Sequence, residues 1–183
     1  MTFYARISGY VTYRSHDHLK SAIDRLHRGG WLNHDEQWLV RGHPRHIRAE
    51  STIDHNRNLL IIPPGIYQNL ARITTELFAG ATDGLVVTSS SHNCFDAWIE
   101  VPLAEAANVP PGGGGDVSSI RCIDLENFAR TQGLGVERLG SPDHIEWQQD
   151  VLDAFHDRHD PDVLGVLESA HAPPGGPPTH PRS

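Results

Sequence analysis

The sequence predicts an α+β protein in which a mixed or antiparallel sheet, built from two β-α-β-β units, has helices on one face and is followed by a helical C-terminal segment. Three observations support this fold class. The same order of elements, strand, helix, strand, strand, occurs twice, from Phe3 to about Ser51 and from about Asn58 to Val101. Apolar residues alternate with period two in the strands and recur every three or four residues in the helices. A Pro/Gly-rich stretch separates these copies from a last segment of helical periodicity.

The first copy opens with an alternating strand and continues into an amphipathic helix. Apolar or small side chains occupy the odd positions from Phe3 to Tyr13, as in a strand with one buried face. Ser15 is typical of a helix N-cap, and the glycines at 29–30 end the helix. Two short strands are expected at 36–41 and 47–53, with a Gly-His-Pro turn between them.

The second copy begins at Leu59–Ile62 with a strand that is apolar on both faces and is therefore expected to be central. The Pro-Pro-Gly at 63–65 is expected to break this strand. Strands at 85–88 and 95–101 are expected to pair as a hairpin. The helix between the strand at 59–62 and this hairpin is predicted from an apolar stripe that consists of Ile66, Leu70, Ile73 and Leu77.

The chain divides into four parts on this interpretation. Residues 1–103 form the duplicated core, 104–116 a Pro/Gly-rich linker or loop, 117–165 a helical segment packed on the core, and 166–183 a disordered tail. Within the third part, Ser119–Ile123 is expected to form a strand, and Asp124 to cap a short helix. Ser141 is the expected N-cap of a longer helix that ends near His159.

The composition favours a cytoplasmic protein and indicates neither a membrane segment nor a cofactor. No run reaches the ~20 apolar residues that a membrane span needs. The N-terminus enters a strand without the apolar region of a signal peptide. Cys94 and Cys122 are the only cysteines, too few for a disulfide framework. Fourteen arginines against one lysine hint at a GC-rich, bacterial genome.

Charge is unevenly distributed along the chain. Residues 1–60 carry nine basic and six acidic side chains, a net of +3, whereas residues 61–183 carry six basic and seventeen acidic side chains, a net of −11. Such asymmetry indicates either a charged partner or two halves that neutralise each other within the fold. Both interpretations stay open at this stage.

The helix expected from Ser141 to His159 has one acidic face. Its apolar side chains, among them Ile145 and Trp147, fall on the other side of the helical wheel. The acidic face is either a solvated surface or a ridge that binds a basic partner. Like charges at these spacings repel by a few tenths of a kcal/mol each, which is a weakness of the first interpretation. The face consists of Asp143, Glu146, Asp150, Asp153 and Asp157.

The function expected from these features is non-catalytic protein binding. Within that class we expect a cytoplasmic inhibitor or immunity-type protein whose acidic helix blocks a basic toxin or nuclease, because charge complementarity speeds association and gives specificity. Nucleic acid is a disfavoured partner, since phosphates repel the ridge. Trp98, between Asp96 and Glu100 on the polar side of its strand, is either an interface anchor or is covered by the C-terminal segment.

The alternative is a small-ligand-binding or hydrolase-type enzyme with a site near His92, Cys94 and Asp96. A cysteine beside a histidine can form an activated nucleophile. The serines at 89–91 lack a Gly-x-Ser-x-Gly elbow. Three histidine pairs, at 16/18, 43/46 and 156/159, have no third ligand at a recognisable spacing, so no metal site is predicted and these histidines are expected at the surface or at helix caps.

Overall fold

The fold was analysed in a computed structural model, which describes residues 4–39, 52–68, 77–90, 95–135 and 144–168. Its strands are β1 (Tyr4–Tyr13), β2 (Ile53–Asp54), β3 (Leu59–Gln68), β4 (Ala81–Ser90), β5 (Asp96–Pro102) and β6 (Ser118–Asp124). Its α-helices are α1 (His16–Gly29), α2 (Leu125–Thr131), α3 (His144–His159) and α4 (Val163–Glu168), and a short 3₁₀ helix spans Ala104–Asn108.

All described strands belong to one antiparallel sheet with the order β2-β3-β1-β4-β5-β6. This confirms the α+β class and the antiparallel sheet. The expected hairpin is also confirmed, because β4 pairs with β5 from Val86↔Glu100 to Ser90↔Asp96. The expected strand at 47–53 is represented by the two-residue β2, and residues 47–51 lie outside the described part.

The prediction that Pro63-Pro64-Gly65 breaks the strand is wrong, since β3 runs through all three residues. The register against β1 shifts by one residue between Ile7↔Gly65 and Gly9↔Ile62, so β3 carries a bulge at the prolines. The described pairing of β2 with β3 covers only Leu59 and Leu60. Proline lacks an N–H, and a bulge beside an edge is where a strand tolerates it.

Two further expectations differ from the structure. Ile66, placed in the helical stripe of the second copy, lies in β3 and is 48% exposed. Leu77 of that stripe is buried, while Leu70 and Ile73 lie outside the described residues. The described part of the strand expected at 36–41 contains only an isolated bridge between Leu32 and Trp38.

The core lies on both faces of the sheet. On one face α1 packs against Val86 of β4 and the side chains of β1 and β3 that point the same way, and Leu77 joins this cluster. On the other face α3 packs against Val87 of β4 and Ala97 of β5. Because Val86 and Val87 are consecutive strand residues, their side chains point to opposite faces. The C-terminal helices therefore cover the face that α1 leaves open.

The segment after β5 returns the chain to the same sheet. β6 pairs with β5 from Asp96↔Asp124 to Pro102↔Ser118, so residues 103–117 connect two neighbouring strands. Asp124 caps α2 as predicted, because its Oδ1 accepts hydrogen bonds from the backbone N–H groups of Glu126 and Asn127 at 2.9 and 3.2 Å. This arrangement places α2 and the C-terminal end of α3 beside β6.

Candidate functional site

The acidic face predicted for the last long helix lies on α3, which the structure describes from His144 onward. The carboxylates of this helix, Glu146, Asp150, Asp153 and Asp157, are all exposed. Asp143 lies outside the described residues. We refer to the four described carboxylates as the acidic face.

The opposite side of α3 is buried against the sheet. Trp147, Val151, Leu152 and Phe155 belong to one core cluster. Ile145, grouped with them in the sequence interpretation, is instead 78% exposed. At about 100° per residue, Ile145 lies at the margin of the apolar sector of the helix.

Asp153 of the acidic face takes part in contacts within the protein. Arg6 of β1 forms an ion pair with the Oδ1 atom of Asp153. Gln149 Nε2 donates to the same oxygen at 2.9 Å. The N-terminal positive charge thus neutralises part of the C-terminal negative charge, as one of the two interpretations of the charge asymmetry expected.

A buried polar array links the same helix to the centre of the sheet. The Nε2 atom of His156 lies 2.6 Å from Ser89 Oγ, and its Nδ1 atom lies 2.6 Å from Asp160 Oδ1. Ser89 is 1% exposed and His156 is 0% exposed. A carboxylate only accepts hydrogen bonds, so Nδ1 donates to Asp160, and Nε2 shares a hydrogen bond with the Ser89 hydroxyl. The prediction that His156 lies at the surface or at a cap is therefore wrong.

The order serine, histidine, aspartate resembles the arrangement that activates a serine nucleophile. Two features argue against that chemistry here. The hydroxyl of Ser89 is sealed from solvent. Strand β4 is paired on both sides at this residue, with Arg6 of β1 and Ala97 of β5. Its backbone groups therefore take part in the hydrogen bonds of the sheet rather than in the stabilisation of an oxyanion. The array instead holds α3 in place on β4 through the hydrogen bond between Ser89 and His156.

The array was missed in the sequence because only half of it is local. His156 and Asp160 are four residues apart, a spacing that places them on one helical face. Ser89 lies 67 residues away along the chain. Strand alternation places Ser89 on the same face as Val87, but nothing in the pattern says which helix covers that face.

Trp98 lies on the face of the sheet opposite α3. Its β5 neighbours Ala97 and Ile99 pack with the α3 cluster, so alternation directs Trp98 to the other face, where it is half-buried opposite Thr88 and Cys122. Cover by α3 is thereby excluded. The structure does not bring Trp98 together with the acidic face.

The residues of the alternative enzyme site are only partly described. Asp96 begins β5, is half-buried, and lies opposite Ser90 and Asp124 in the two neighbouring strands. His92 and Cys94 lie outside the described residues, so this site stays a prediction.

The described histidines do not form a metal centre. His18 is buried, with Nε2 2.8 Å from the carbonyl oxygen of Val109 and Nδ1 2.7 Å from Ser15 Oγ, so both ring nitrogens have protein partners. The rings of His16 and His55 lie close together, with 5.6 Å between their centroids. Within the five described ranges, no group of three or more His, Cys, Asp or Glu side chains could hold a metal ion.

Comparisons with known proteins add no family. Protein-family models, curated proteins and solved structures all give no significant match to this chain. Among the helices that the structure describes, none is both long and apolar enough to cross a membrane.

Proposed function

We propose that this protein is a non-catalytic binding module whose acidic face docks on a basic surface of a partner protein. The observation that carries the proposal is the exposure of Glu146, Asp150, Asp153 and Asp157 along one outward side of a helix whose other side is buried. Successive members are three or four residues apart, so their carboxylates form one continuous strip.

The contacts that hold α3 on the sheet support a role of this helix in binding a partner protein. The helix is anchored by its apolar side, by the buried contact of Ser89 with His156, and by the ion pair of Arg6 with Asp153. A surface that is already held in its binding conformation loses less entropy on association than a flexible one. The anchoring therefore favours a binding surface over a merely solvated helix.

The electrostatics of the face favour a basic protein partner. Helix α3 carries four acidic side chains against the single arginine Arg158. Repulsion within such a row costs a few tenths of a kcal/mol per pair, a cost that a basic partner surface offsets. Long-range attraction also raises the association rate and makes it depend on salt. A nucleic acid is repelled by the same charges.

The finer proposal is an inhibitor or immunity-type protein of the cytoplasm. An enzyme that acts on nucleic acid has a basic cleft, because it must neutralise phosphates. An acidic helix on a fixed scaffold has the charge needed to block such a cleft, which makes a nuclease or nuclease-like toxin the proposed partner. The proposal uses the acidic face alone, since Trp98 points from the other side of the sheet.

The test compares two triple variants with the same change of charge. The first, Glu146→Gln with Asp150→Asn and Asp157→Asn, neutralises the face but keeps the ion pair of Asp153. The control, Asp24→Asn with Asp35→Asn and Asp116→Asn, removes three exposed charges elsewhere. Each tagged protein is used to capture partners from a lysate of the native host at low and high salt, and captured proteins are identified by mass spectrometry.

The proposal expects a basic protein that is retained by the wild type and by the control but lost with the first variant. The purified partner should then associate at least tenfold more slowly with the first variant, and its association rate should depend less on salt. Equal loss in both variants, or a partner retained by all three proteins, contradicts the proposal.

A further inference from the structure

A separate cleft lies between β6, α2 and the C-terminal end of α3. It has a volume of about 370 Å³, within the size range of small-molecule sites. Its floor includes the ring of Phe128, and its polar lining includes Arg121, Asn127, Gln132, Arg158 and His159. The acidic face lies on the opposite side of α3, so this cleft is distinct from the proposed partner surface.

Two arginine side chains from different elements line the cleft. Arg121 of β6 is exposed and forms neither a hydrogen bond nor an ion pair with any residue that the structure describes. Arg158 of α3 donates from Nη1 to Gln132 Oε1 at 3.0 Å, which leaves its other guanidinium donors available. Neither arginine is neutralised by a carboxylate among the described side chains.

The pKa of His159 is affected by the positive charges of the cleft. Burial lowers the pKa of this imidazole below its ordinary value, and the charges of Arg158 and Arg121 lower it further. The ring packs against Phe155, with 4.8 Å between the ring centroids. Arg121 and Arg158 therefore act on the same small volume.

The carboxylate that lines the cleft does not cancel this charge by pairing with the arginines. Asp124 Oδ1 already accepts the two hydrogen bonds that cap α2. The neighbouring Arg130, which is not part of the lining, pairs instead with Glu126 at 3.0 Å. Two arginines against one occupied carboxylate leave the cleft suited to an anion.

We propose that this cleft binds a small organic phosphate, with Arg121 and Arg158 on the phosphate oxygens and the organic part against Phe128. A carboxylate has two oxygens and is satisfied by one guanidinium fork, whereas a phosphate monoester has three terminal oxygens for donors from several directions. The side-chain amide of Asn127, which also lines the cleft, supplies a further neutral donor. This inference does not depend on the proposed protein partner.

The experiment titrates the folded full-length protein with phenyl phosphate, benzoate and inorganic phosphate, and follows the amide and imidazole signals by NMR. Phenyl phosphate should shift the signals of the cleft and raise the pKa of His159, because a dianion beside the ring stabilises its charged form. Arg121→Gln and Arg158→Gln should each weaken binding at least tenfold, as expected for loss of one charge-assisted hydrogen bond. Arg130→Gln is the matched control and should bind as the wild type does.

Three outcomes contradict the inference. Binding of benzoate or inorganic phosphate as tight as that of phenyl phosphate would exclude an organic phosphate monoester as the preferred ligand. Equal weakening by Arg130→Gln would show a general charge effect rather than a site. Finally, phenyl phosphate that leaves the signals of the cleft unchanged at about 10 mM, well above the ordinary affinities of such sites, overturns the proposal.

Discussion

The hydroxyl of Ser89 lies 2.6 Å from Nε2 of His156, and this contact joins the C-terminal end of strand β4 to helix α3. Both side chains are almost completely buried. The other ring nitrogen of His156 is held by Asp160, so the imidazole has a partner on each side. A misplaced helix would leave these buried polar groups without partners, so the contact favours one position of α3 on the sheet.

Ser89→Ala should lower the free energy of unfolding by about 1–3 kcal/mol, because it leaves the buried Nε2 of His156 without its hydrogen-bond partner. Urea unfolding followed by circular dichroism measures this change. Ser119→Ala, at an exposed position of β6, is the control and should change stability by less than about 0.5 kcal/mol. Equal stability of the two variants would show that the contact contributes little.

Ser89 should not react with a fluorophosphonate probe in the folded protein. The residue is 1% exposed, so the probe has no path to its hydroxyl. Labelling at neutral pH followed by peptide mass spectrometry checks this expectation, with an active serine hydrolase as the positive control for the reagent. Modification of Ser89 that disappears in His156→Gln would contradict this expectation. It would mean that the Ser89 hydroxyl becomes accessible and that His156 activates it as a nucleophile.

Asp153→Asn should cost less than about 1 kcal/mol of stability, although it breaks the ion pair with Arg6. The side chains of the pair are 29% and 52% exposed, so water and salt already weaken their attraction. Thermal unfolding at low and high salt measures the effect, and the difference from wild type should shrink as salt rises. A loss several times larger would mean that the pair determines the position of α3.

The pKa of His159 should rise in Arg121→Gln. Burial, Arg158, Arg121 and His156 lower the pKa of this group in the folded protein, and only Asp160 opposes them. Because the folded pKa lies below the unfolded value, the contribution of His159 to stability is present above about pH 6.5 and is lost as the pH falls through the folded pKa. An NMR titration of the imidazole measures the change, and an unchanged pKa would place Arg121 too far away to act.

Gly80→Ala should destabilise the protein by about 2 kcal/mol or more. Gly80 has a φ of +78°, and an added Cβ would lie 1.9 Å from Cδ2 of His18. His18 cannot easily move, because Ser15 and Val109 hold its two nitrogens. Gly114→Ala, with no atom within 4 Å of the added Cβ, is the matched control and should be neutral. Comparable unfolding midpoints for the two variants would contradict this account.

Local features of the fold were predictable where one segment determines them. The alternation of β1, the N-terminus of α1 after Ser15 and the capping of α2 by Asp124 all follow from neighbouring residues. The prediction failed at Pro63 and Pro64, because proline is tolerated there by a bulge whose existence depends on the register with β1. Ile145 was misplaced because it lies at the margin of the apolar sector of α3, where the elements packed against the helix decide which side chains are covered.

The sequence by itself determined the helix and strand periods, the acidic side of α3 and the uneven charge of the chain, because each depends on residue spacing alone. Tertiary structure decided which groups meet. It placed Arg6 on Asp153, Ser89 on His156, and Arg121 beside Arg158, over separations of 147, 67 and 37 residues. The order of strands in the sheet sets these contacts, and that order results from long-range pairing and burial that no local pattern contains.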